Sequence, residues 1–464
     1  MARMRRVSSN WLLWVVLLAG LYCPVLPAGV LPPSGTELAS AGGSARNLSA
    51  TEAAIVRHID DHQTEALALL RRVVEINSGT QNLAGVRRVG RIFGDELADL
   101  GFRTRWVDGA GFDRAGHLIA ERKGLGTGPK VLLIGHLDTV FSLDSPFQRF
   151  ERLAGNRAKG PGVIDMKGGD VVMLSALRAL RDSDVLDRLR LVVVLSGDEE
   201  DAGEPTELAR RDLIEAGEGA EVALGFEDGD GDPTTAVIAR RGSTGWRLET
   251  TGNPAHSSQI FQPEVGAGAV FEMSRILDGF YRRLSAVSDL TFSPGLVLGG
   301  TDVTLEHSGT RGSAFGKPNV VAGKAIVTGD LRCLSPQQLK SAKRTMQEIV
   351  DDHRPGTGAT LTFGHGYPPM AATEGNRRLL SLLDHVSRDL GLGPVTAVDP
   401  RNAGAADVSF IATKVPMVLD GLGLMGSGGH TVEETAELST LPTQTAKAAL
   451  LLCRIAQGAA TTAP

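Results

Sequence analysis

The sequence predicts an α/β protein with a mostly parallel sheet flanked by helices, into which a smaller α+β module is inserted. Val131–Ile134 and Leu191–Leu195 are short, continuous apolar runs, as in parallel strands buried on both faces. Helical spacing from about Gly169 to Arg181 separates them and gives the strand–helix–strand order of a parallel sheet. Thr244–Thr250 instead alternates apolar and polar residues, which is typical of a sheet with one exposed face.

The remaining elements of the larger domain follow the same two patterns. Apolar residues at helical spacing predict two N-terminal helices, within Ala54–Ile76 and Val86–Leu100. Further core strands are predicted at Val222–Leu224 and Met417–Leu419, and a last helix at Pro442–Gln457. The larger domain is therefore predicted to be built from both halves of the chain.

The inserted module has its own order of elements. Strand Thr244–Thr250 is followed by helix Val265–Leu284, the long strand Asn319–Leu331 and helix Gln337–Asp352. A β-α-β-β-α-β order of this kind suits a small, ferredoxin-like module. We place this module, called the lid below, at residues 236–364, between the two parts of the larger domain at residues 51–235 and 365–464.

The composition excludes several classes of protein. The chain has 464 residues, 42% of them hydrophobic and 22% charged, which indicates a folded rather than a disordered polypeptide. Its net charge of −6 does not favour a nucleic-acid-binding face. Three cysteines are too few for a disulfide scaffold, and Cys333 and Cys453 are predicted to be buried thiols.

The N-terminus has the pattern of a secretory signal. Three arginines within the first six residues precede the short apolar run Trp11–Tyr22. We predict a signal peptide at residues 1–41, a linker at residues 42–50, and a secreted or periplasmic protein with no membrane contact after cleavage. Three alternatives stay open: a lipid anchor on Cys23, a twin-arginine signal at Arg5-Arg6, and an uncleaved anchor.

Imidazole and carboxylate side chains follow several of the predicted strands. Because the carboxyl ends of parallel strands meet at one edge of a sheet, we expect these side chains to converge there. With no cysteine among them, such a set favours zinc over manganese or cobalt. Two ions sharing one carboxylate would account for so many acids in one place. The candidates are His136, Asp138, Asp165, Glu199, Glu200, Glu227, Asp228 and His430.

Three motifs carry a resemblance to a known family. They are His136-Leu137-Asp138 after an apolar strand, the glycine-rich stretch Gly160–Gly168 that contains Asp165, and the pair Glu199-Glu200. With them the sequence resembles the aminoacylase and glutamate carboxypeptidase family of co-catalytic zinc exopeptidases, particularly its carboxypeptidase G2-like secreted members. The resemblance covers the chain from about Thr51 to Gly458.

The resemblance implies two zinc ions per subunit. The implied ligands form two groups that share one aspartate: His136, Asp165 and Glu227 for one ion, and Asp165, Glu200 and His430 for the other. Glu199 is implied as the general base, and Asp138 as the residue that orients the His136 imidazole. Asp228 stays open as an alternative ligand to Glu227.

The same resemblance extends to the lid. It implies that His256 reaches a neighbouring active site and stabilises the oxyanion, and that Asn319 and Arg332 contact a substrate carboxylate. Read from the residues alone, Asn319 could simply begin a strand and Arg332 could be a surface residue. A homodimer through the lid domain is expected.

Three functional hypotheses follow. The first is a carboxypeptidase, with glutamate as a candidate released residue, in which a hydroxide shared by the two zinc ions attacks a small peptide. The second is an aminoacylase-type deacylase that acts on N-acyl amino acids. The third is a binding protein without catalysis, which the presence of every ligand type and of the base disfavours.

Overall fold

The computed structural model describes residues 47–306 and 309–460. The predicted signal peptide at residues 1–41 and the first part of the predicted linker lie outside these residues, so both stay predictions. Near the start of the described chain, the Ser49 hydroxyl accepts a hydrogen bond from the Glu52 amide, and the Glu52 carboxylate accepts one from the Ser49 amide. This reciprocal cap starts the first helix at Ala50, before the apolar pattern begins.

The described residues contain eleven α-helices and eighteen β-strands or short extended pairs. The helices are α1 Ala50–Asp61, α2 Gln63–Val74, α3 Leu83–Asp99, α4 Lys167–Asp182, α5 Thr206–Ala209, α6 Arg211–Ala216, α7 Gly268–Leu284, α8 Pro336–Asp351, α9 Glu374–Asp389, α10 Val408–Ile411 and α11 Thr440–Ala456. The strands are β1 Arg103–Asp108, β2 Gly116–Arg122, β3 Lys130–His136, β4 Glu151–Leu153, β5 Arg157–Lys159, β6 Arg190–Ser196, β7 Val222–Gly225, β8 Thr235–Ala236, β9 Gly242–Gly252, β10 Thr291–Gly300, β11 Asp302–Leu305, β12 Gly312–Phe315, β13 Lys324–Cys333, β14 Thr357–Tyr367, β15 Thr396–Ala397, β16 Met417–Leu419, β17 Gly426–Ser427 and β18 Thr435–Glu437.

The first sheet has the strand order β1-β2-β6-β3-β7-β16. Strands β6, β3, β7 and β16 run parallel, whereas β1 and β2 form an antiparallel edge. Along β3, Val131 and Leu133 face one apolar core and Leu132 and Ile134 face another. Since successive side chains point to opposite faces, the sheet is covered on both sides, which explains its continuous apolar runs.

The second sheet has the order β10-β13-β9-β14 and is antiparallel throughout. One face packs on α7 and α8, where Trp246 and Leu248 of β9 meet Phe280 and Met346. The intervening residues of β9, such as Arg247, are more exposed, as the alternating sequence predicts. Strand order, helices and sheet together confirm the predicted α/β fold class, while the domain boundaries stay predictions.

Two predicted elements differ from the structure. The single helix Ala54–Ile76 is two helices, because the His62 backbone leaves helical geometry, at φ −112° and ψ 18°. The long strand begins at Lys324 rather than at Asn319, because Asn319 lies in an exposed loop. Apolar spacing alone contains no signal for either interruption.

Both cysteines predicted to be thiols are free and buried. Burial raises the pKa of Cys333 and of Cys453 to about 11, so neither is a reactive thiolate at neutral pH. Within residues 47–306 and 309–460, no helix is both long enough and apolar enough to cross a membrane.

Candidate metal centre

The five predicted metal ligands lie together at the carboxyl-end edge of the first sheet. His136 is the last residue of β3, and Glu200 and Glu227 follow β6 and β7 within a few residues. Asp165 lies in the loop that leads into α4, and His430 lies in the loop between β17 and β18. The topology therefore brings distant segments to one edge, as expected for an open parallel sheet.

The ligand atoms form two groups that share Asp165. His136 Nε2 lies 3.1 Å from Asp165 Oδ1 and 3.7 Å from Glu227 Oε1. His430 Nε2 lies 2.9 Å from Asp165 Oδ2 and 3.0 Å from Glu200 Oε2. Each group places three ligand atoms within 4.8 Å of one another. One aspartate oxygen thus faces each histidine, which is the arrangement that a carboxylate bridging two cations requires.

The two groups differ in their exposure. The His136 side chain is 1% exposed, whereas the His430 side chain is 60% exposed. His430 also has a left-handed backbone, φ 63°, in the loop after Gly428, a conformation that costs energy in a residue with a side chain. The buried group therefore forms the floor of the site and the His430 group its solvent-facing side.

The charges of the site fit divalent cations. Burial raises the pKa of Glu199, of Glu200 and of Glu227, and neighbouring carboxylates raise it further, partly offset by histidine. For Asp165, hydrogen bonds from both histidines outweigh burial and lower its pKa. Hydrogen bonds to Asp165 and Glu200 raise the pKa of His430 to about 11. Two divalent ions would supply the positive charge that these acids demand, and the oxygen and imidazole donors suit zinc.

Asp138 connects one metal ligand with the segment that carries two other functional residues. Its Oδ1 lies 3.4 Å from His136 Nδ1 and accepts a hydrogen bond of 3.1 Å from the Glu199 amide. Its Oδ2 accepts hydrogen bonds from the Glu200 amide at 3.2 Å and from Thr80 Oγ1 at 2.7 Å. His136 Nδ1 also lies 3.1 Å from the Asp138 backbone carbonyl, so this residue holds the imidazole with its backbone as well as its side chain, and its buried carboxylate holds the turn after β6.

Sequence reasoning missed Glu434, which supports the Asp165 loop. Its Oε1 accepts hydrogen bonds from the Ile164 and Asp165 amides at 2.9 and 3.2 Å, and its Oε2 accepts one from the Gly162 amide at 3.0 Å. Burial raises the pKa of Glu434 to about 7. Its position four residues after His430 is the one available signal, because a lone acid in a polar loop otherwise resembles a solvated one.

Asp420 and Arg240 give the Glu227 segment similar support, and sequence reasoning assigned neither a role. Asp420 Oδ1 accepts a hydrogen bond of 3.3 Å from the Glu227 amide, and its other oxygen binds Arg240 Nε at 2.8 Å. Both side chains are buried. Asp420 directly follows β16, so its position at the end of a predicted strand could have identified it from the sequence.

The three predicted lid residues lie at two different places. His256 and Asn319 are neighbours: Ser257 donates a backbone hydrogen bond of 2.9 Å to the Asn319 carbonyl, and both predicted residues are exposed. Arg332 lies at the other end of β13, where its Nε donates to Asp330 Oδ2 at 2.7 Å. At about 3.3 Å per residue, the ten residues of β13 place its two ends roughly 30 Å apart.

Among the described residues, none of these three side chains contacts the two ligand groups. Their predicted roles therefore stay predictions. Glu227 rather than Asp228 completes the buried ligand group in the described part of the chain, which favours the first of the two alternatives.

A mostly parallel sheet whose edge carries two His–carboxylate groups sharing one aspartate is typical of a metal-dependent hydrolase. The model of Peptidase family M20/M25/M40 matches residues 132–454. The chain belongs to this family of metallopeptidases and amidohydrolases, which confirms the predicted family resemblance.

Curated relatives match most of the chain. Carboxypeptidase G2 of Pseudomonas sp. (strain RS-16) is 26% identical over 401 residues, covering 86% of this chain and 91% of the relative. A succinyl-diaminopimelate desuccinylase of Variovorax paradoxus (strain S110) is 25% identical over 402 residues, covering 82% and 95%.

Solved structures share the fold. Aminopeptidase PepT from Bacillus cereus superimposes with a TM-score of 0.67 at 17% identity, covering 85% of this chain and 99% of that structure. A dinuclear metal-binding peptidase of the M20 family from Bacillus subtilis gives a TM-score of 0.60 at 15% identity, with coverage of 86% and 99%. At such identities the likeness demonstrates the fold, and function must be argued from the site.

Proposed function

We propose that this protein is a secreted or periplasmic two-zinc exopeptidase that releases the C-terminal amino acid of a small peptide, with glutamate as the first residue to test. The observation that carries this proposal is the position of Asp165, whose two oxygens face His136 and His430. The similarity to carboxypeptidase G2 over most of both chains supports a carboxypeptidase within this family.

His136, Asp165 and Glu227 would hold one ion, and Asp165, Glu200 and His430 would hold the other. Two divalent ions, when bound, polarise the scissile carbonyl and lower the pKa of a water molecule. Glu199 belongs to neither ligand group, yet it is close enough to His136 for their charges to interact.

Glu199 is the proposed general base. Its carboxylate takes a proton from the attacking water and returns that proton to the leaving nitrogen. Burial raises the pKa of Glu199, which suits a carboxyl group that must first accept a proton and then donate it. Asp138 keeps this base in place through the Glu199 amide.

The lid residues are proposed to bind the substrate in a homodimer. Arg332 lies at the end of β13 nearer to Tyr367, where the chain leaves the second sheet, and would hold the free carboxylate of the substrate. His256 and Asn319 lie at the far end of the second sheet and are exposed. Because the length of β13 separates them from Arg332, we propose that they act in the active site of a second copy of the chain.

The second candidate function is removal of an acyl group from an N-acyl amino acid. The similarity to a desuccinylase over 82% of this chain favours it, because the bond cleaved is again an amide next to a carboxylate-bearing product. The same residues would act in the same roles, so the distinction lies in the acyl side of the substrate.

A metal-dependent substrate panel tests both functions. Purified protein is stripped with a chelator, reloaded with Zn²⁺, and offered dipeptides, tripeptides with C-terminal glutamate, and N-acetyl and N-succinyl amino acids. We expect amine release only after zinc is restored, with peptides cleaved faster than N-acyl amino acids. Faster cleavage of the acyl substrates would favour the second function, and hydrolysis that survives chelation would contradict both.

Secretion has a separate test. We propose that the leader is removed at or before Ala41, and the mass of the protein purified from the medium or periplasm measures the cleavage site. A protein that keeps Met1 and sediments with membranes would instead support the uncleaved anchor.

A further inference from the structure

The hydroxyl of Tyr367 lies between the second sheet and the backbone of Glu199. Tyr367 is the last residue of β14 and pairs with Ser243 of β9, so its position is set by that sheet. Its Oη donates a hydrogen bond of 2.6 Å to the backbone carbonyl of Glu199. This bond joins the end of the second sheet directly to the peptide of the proposed base.

A buried arginine holds the Tyr367 hydroxyl in this orientation. Arg210, whose side chain is 1% exposed, donates from Nη2 to Tyr367 Oη at 2.7 Å and from Nη1 to Asp198 Oδ1 at 2.6 Å. Its Nε lies 2.8 Å from Asp407 Oδ1. A phenol has one hydrogen to donate, and because Arg210 already donates to this oxygen, that hydrogen is left for the Glu199 carbonyl.

The Tyr367 ring is fixed by its neighbours independently of the hydroxyl. It packs edge-on against Phe410 with 5.0 Å between ring centres, and the Arg210 guanidinium lies 5.6 Å from the Tyr367 ring centre. A phenylalanine at this position would therefore keep the packing and lose only the two hydrogen bonds of the oxygen.

The placement of the Glu199 side chain depends on its backbone. Within residues 47–306 and 309–460, no side chain or backbone amide hydrogen-bonds the Glu199 carboxylate. The peptide itself is held on both sides, since the Glu199 amide donates to Asp138 Oδ1 at 3.1 Å and the carbonyl accepts from Tyr367. Loss of the Tyr367 bond would free the carbonyl side of the Glu199–Glu200 peptide group, while the Glu200 amide would keep its hydrogen bond to Asp138 Oδ2.

We propose that Tyr367 is a positioning residue for Glu199 and that Arg210 fixes the orientation of the Tyr367 hydroxyl. The inference rests on the proposed function, in which Glu199 is the general base. Tyr367 belongs to neither ligand group, and its hydroxyl bonds the Glu199 carbonyl, so the proposed effect is on the position of the Glu199 side chain. Since a displacement of about 1 Å at a reacting group can cost a hundredfold in rate, a single hydroxyl at this place has a measurable effect.

The test is Tyr367→Phe, with Tyr281→Phe as the matched control because the Tyr281 side chain is 67% exposed on α7. We expect kcat of the Tyr367→Phe enzyme to fall about 10- to 100-fold with KM within about twofold of wild type. Bound zinc should equal that of wild type, and the melting temperature should fall by no more than about 4 °C. The control should match wild type in every measurement.

Hydrogen–deuterium exchange tests the same inference without a substrate. In Tyr367→Phe, the amides of Glu199 and Glu200 should exchange faster than in wild type, while those of β3 should not change. If the wild-type enzyme cleaves nothing in the panel, the proposed function fails and the exchange result alone decides this inference. Unchanged exchange, unchanged kcat in an active background, or a loss of rate that follows a loss of zinc would each overturn it.

Discussion

Asp165 is the residue on which both proposed metal sites depend, because its two oxygens face different histidines. Its side chain is positioned by the loop before α4, and that loop is held by the buried carboxylate of Glu434. The residues around the site therefore have two kinds of role. Some offer ligand atoms or move a proton, and others keep those atoms within reach of one another.

Replacing Glu199 with glutamine should separate catalysis from metal binding. The amide cannot accept a proton, so kcat should fall by at least about a hundredfold, within the range expected for the loss of a general base. Glu199 lies in neither ligand group, so bound zinc should stay at the wild-type amount. Steady-state kinetics and metal analysis on the same sample check both statements, and near-wild-type turnover in Glu199→Gln would refute the assignment of the base.

Glu434→Gln should weaken metal binding without touching a ligand. The glutamine NH₂ group would face a backbone amide that now donates to the carboxylate, so the Asp165 loop loses part of its support. We expect zinc affinity to fall about 10- to 100-fold, measured by competition with a chromophoric chelator. Glu433→Gln is the matched control, since the Glu433 side chain is 75% exposed and pairs with Lys159. Equal affinities for the two variants would contradict the role given to Glu434.

At the scale of elements, the sequence predicts best where one pattern fixes both the structure and the position of a functional group. The apolar run Val131–Ile134 predicts a doubly buried strand, and it places His136 at the end of that strand, where the structure has it. Glu434 could not be found this way, because its burial depends on a loop 270 residues earlier in the chain. The separation of His256 from Arg332 likewise depends on the register of β13 against β9, which no local pattern contains.

Helix α11 contains a buried lysine with a predictable effect on stability. Lys447 is 3% exposed and donates from Nζ to the Pro233 carbonyl. Burial lowers its pKa from 10.5 to about 8, with Asp232 partly opposing the shift. Between about pH 8 and 10.5 the unfolded chain binds more protons than the folded one, so this residue makes the free energy of unfolding rise with pH in that window.

Urea denaturation of wild type and Lys447→Met should reveal this dependence. From about pH 7.5 to about pH 9.5, the wild-type free energy of unfolding should gain about 2 kcal/mol relative to the variant, since one pKa unit corresponds to about 1.4 kcal/mol. The comparison cancels titration elsewhere in the chain, including the metal ligands. Lys340→Met, at an exposed position of α8, should follow wild type. Parallel pH curves for wild type and Lys447→Met would show that Lys447 stays charged.

On the scale of the whole molecule, the two sheets position different sets of functional residues. The first sheet brings the proposed ligands and base to one edge, and apolar cores cover both of its faces. The second sheet presents Tyr367 and Arg332 at one end and, near the other end, His256 and Asn319. One chain therefore supplies the proposed base and both ligand groups, whereas its His256 and Asn319 are exposed to solvent.

Complementation between two inactive variants tests whether the outward residues serve a second subunit. His256→Ala and Glu199→Gln are each expected to lose activity as homodimers. In a mixed dimer, the site with an intact Glu199 receives the intact His256 from its partner, so one of its two sites works. Because one of the two sites works, a preparation of mixed dimers should have about half of the wild-type activity. The variants are co-expressed with different tags, and the doubly tagged fraction is purified and assayed. If His256 acted within its own chain, one site of the mixed dimer would lack the base and the other would lack the histidine, and the fraction would stay inactive.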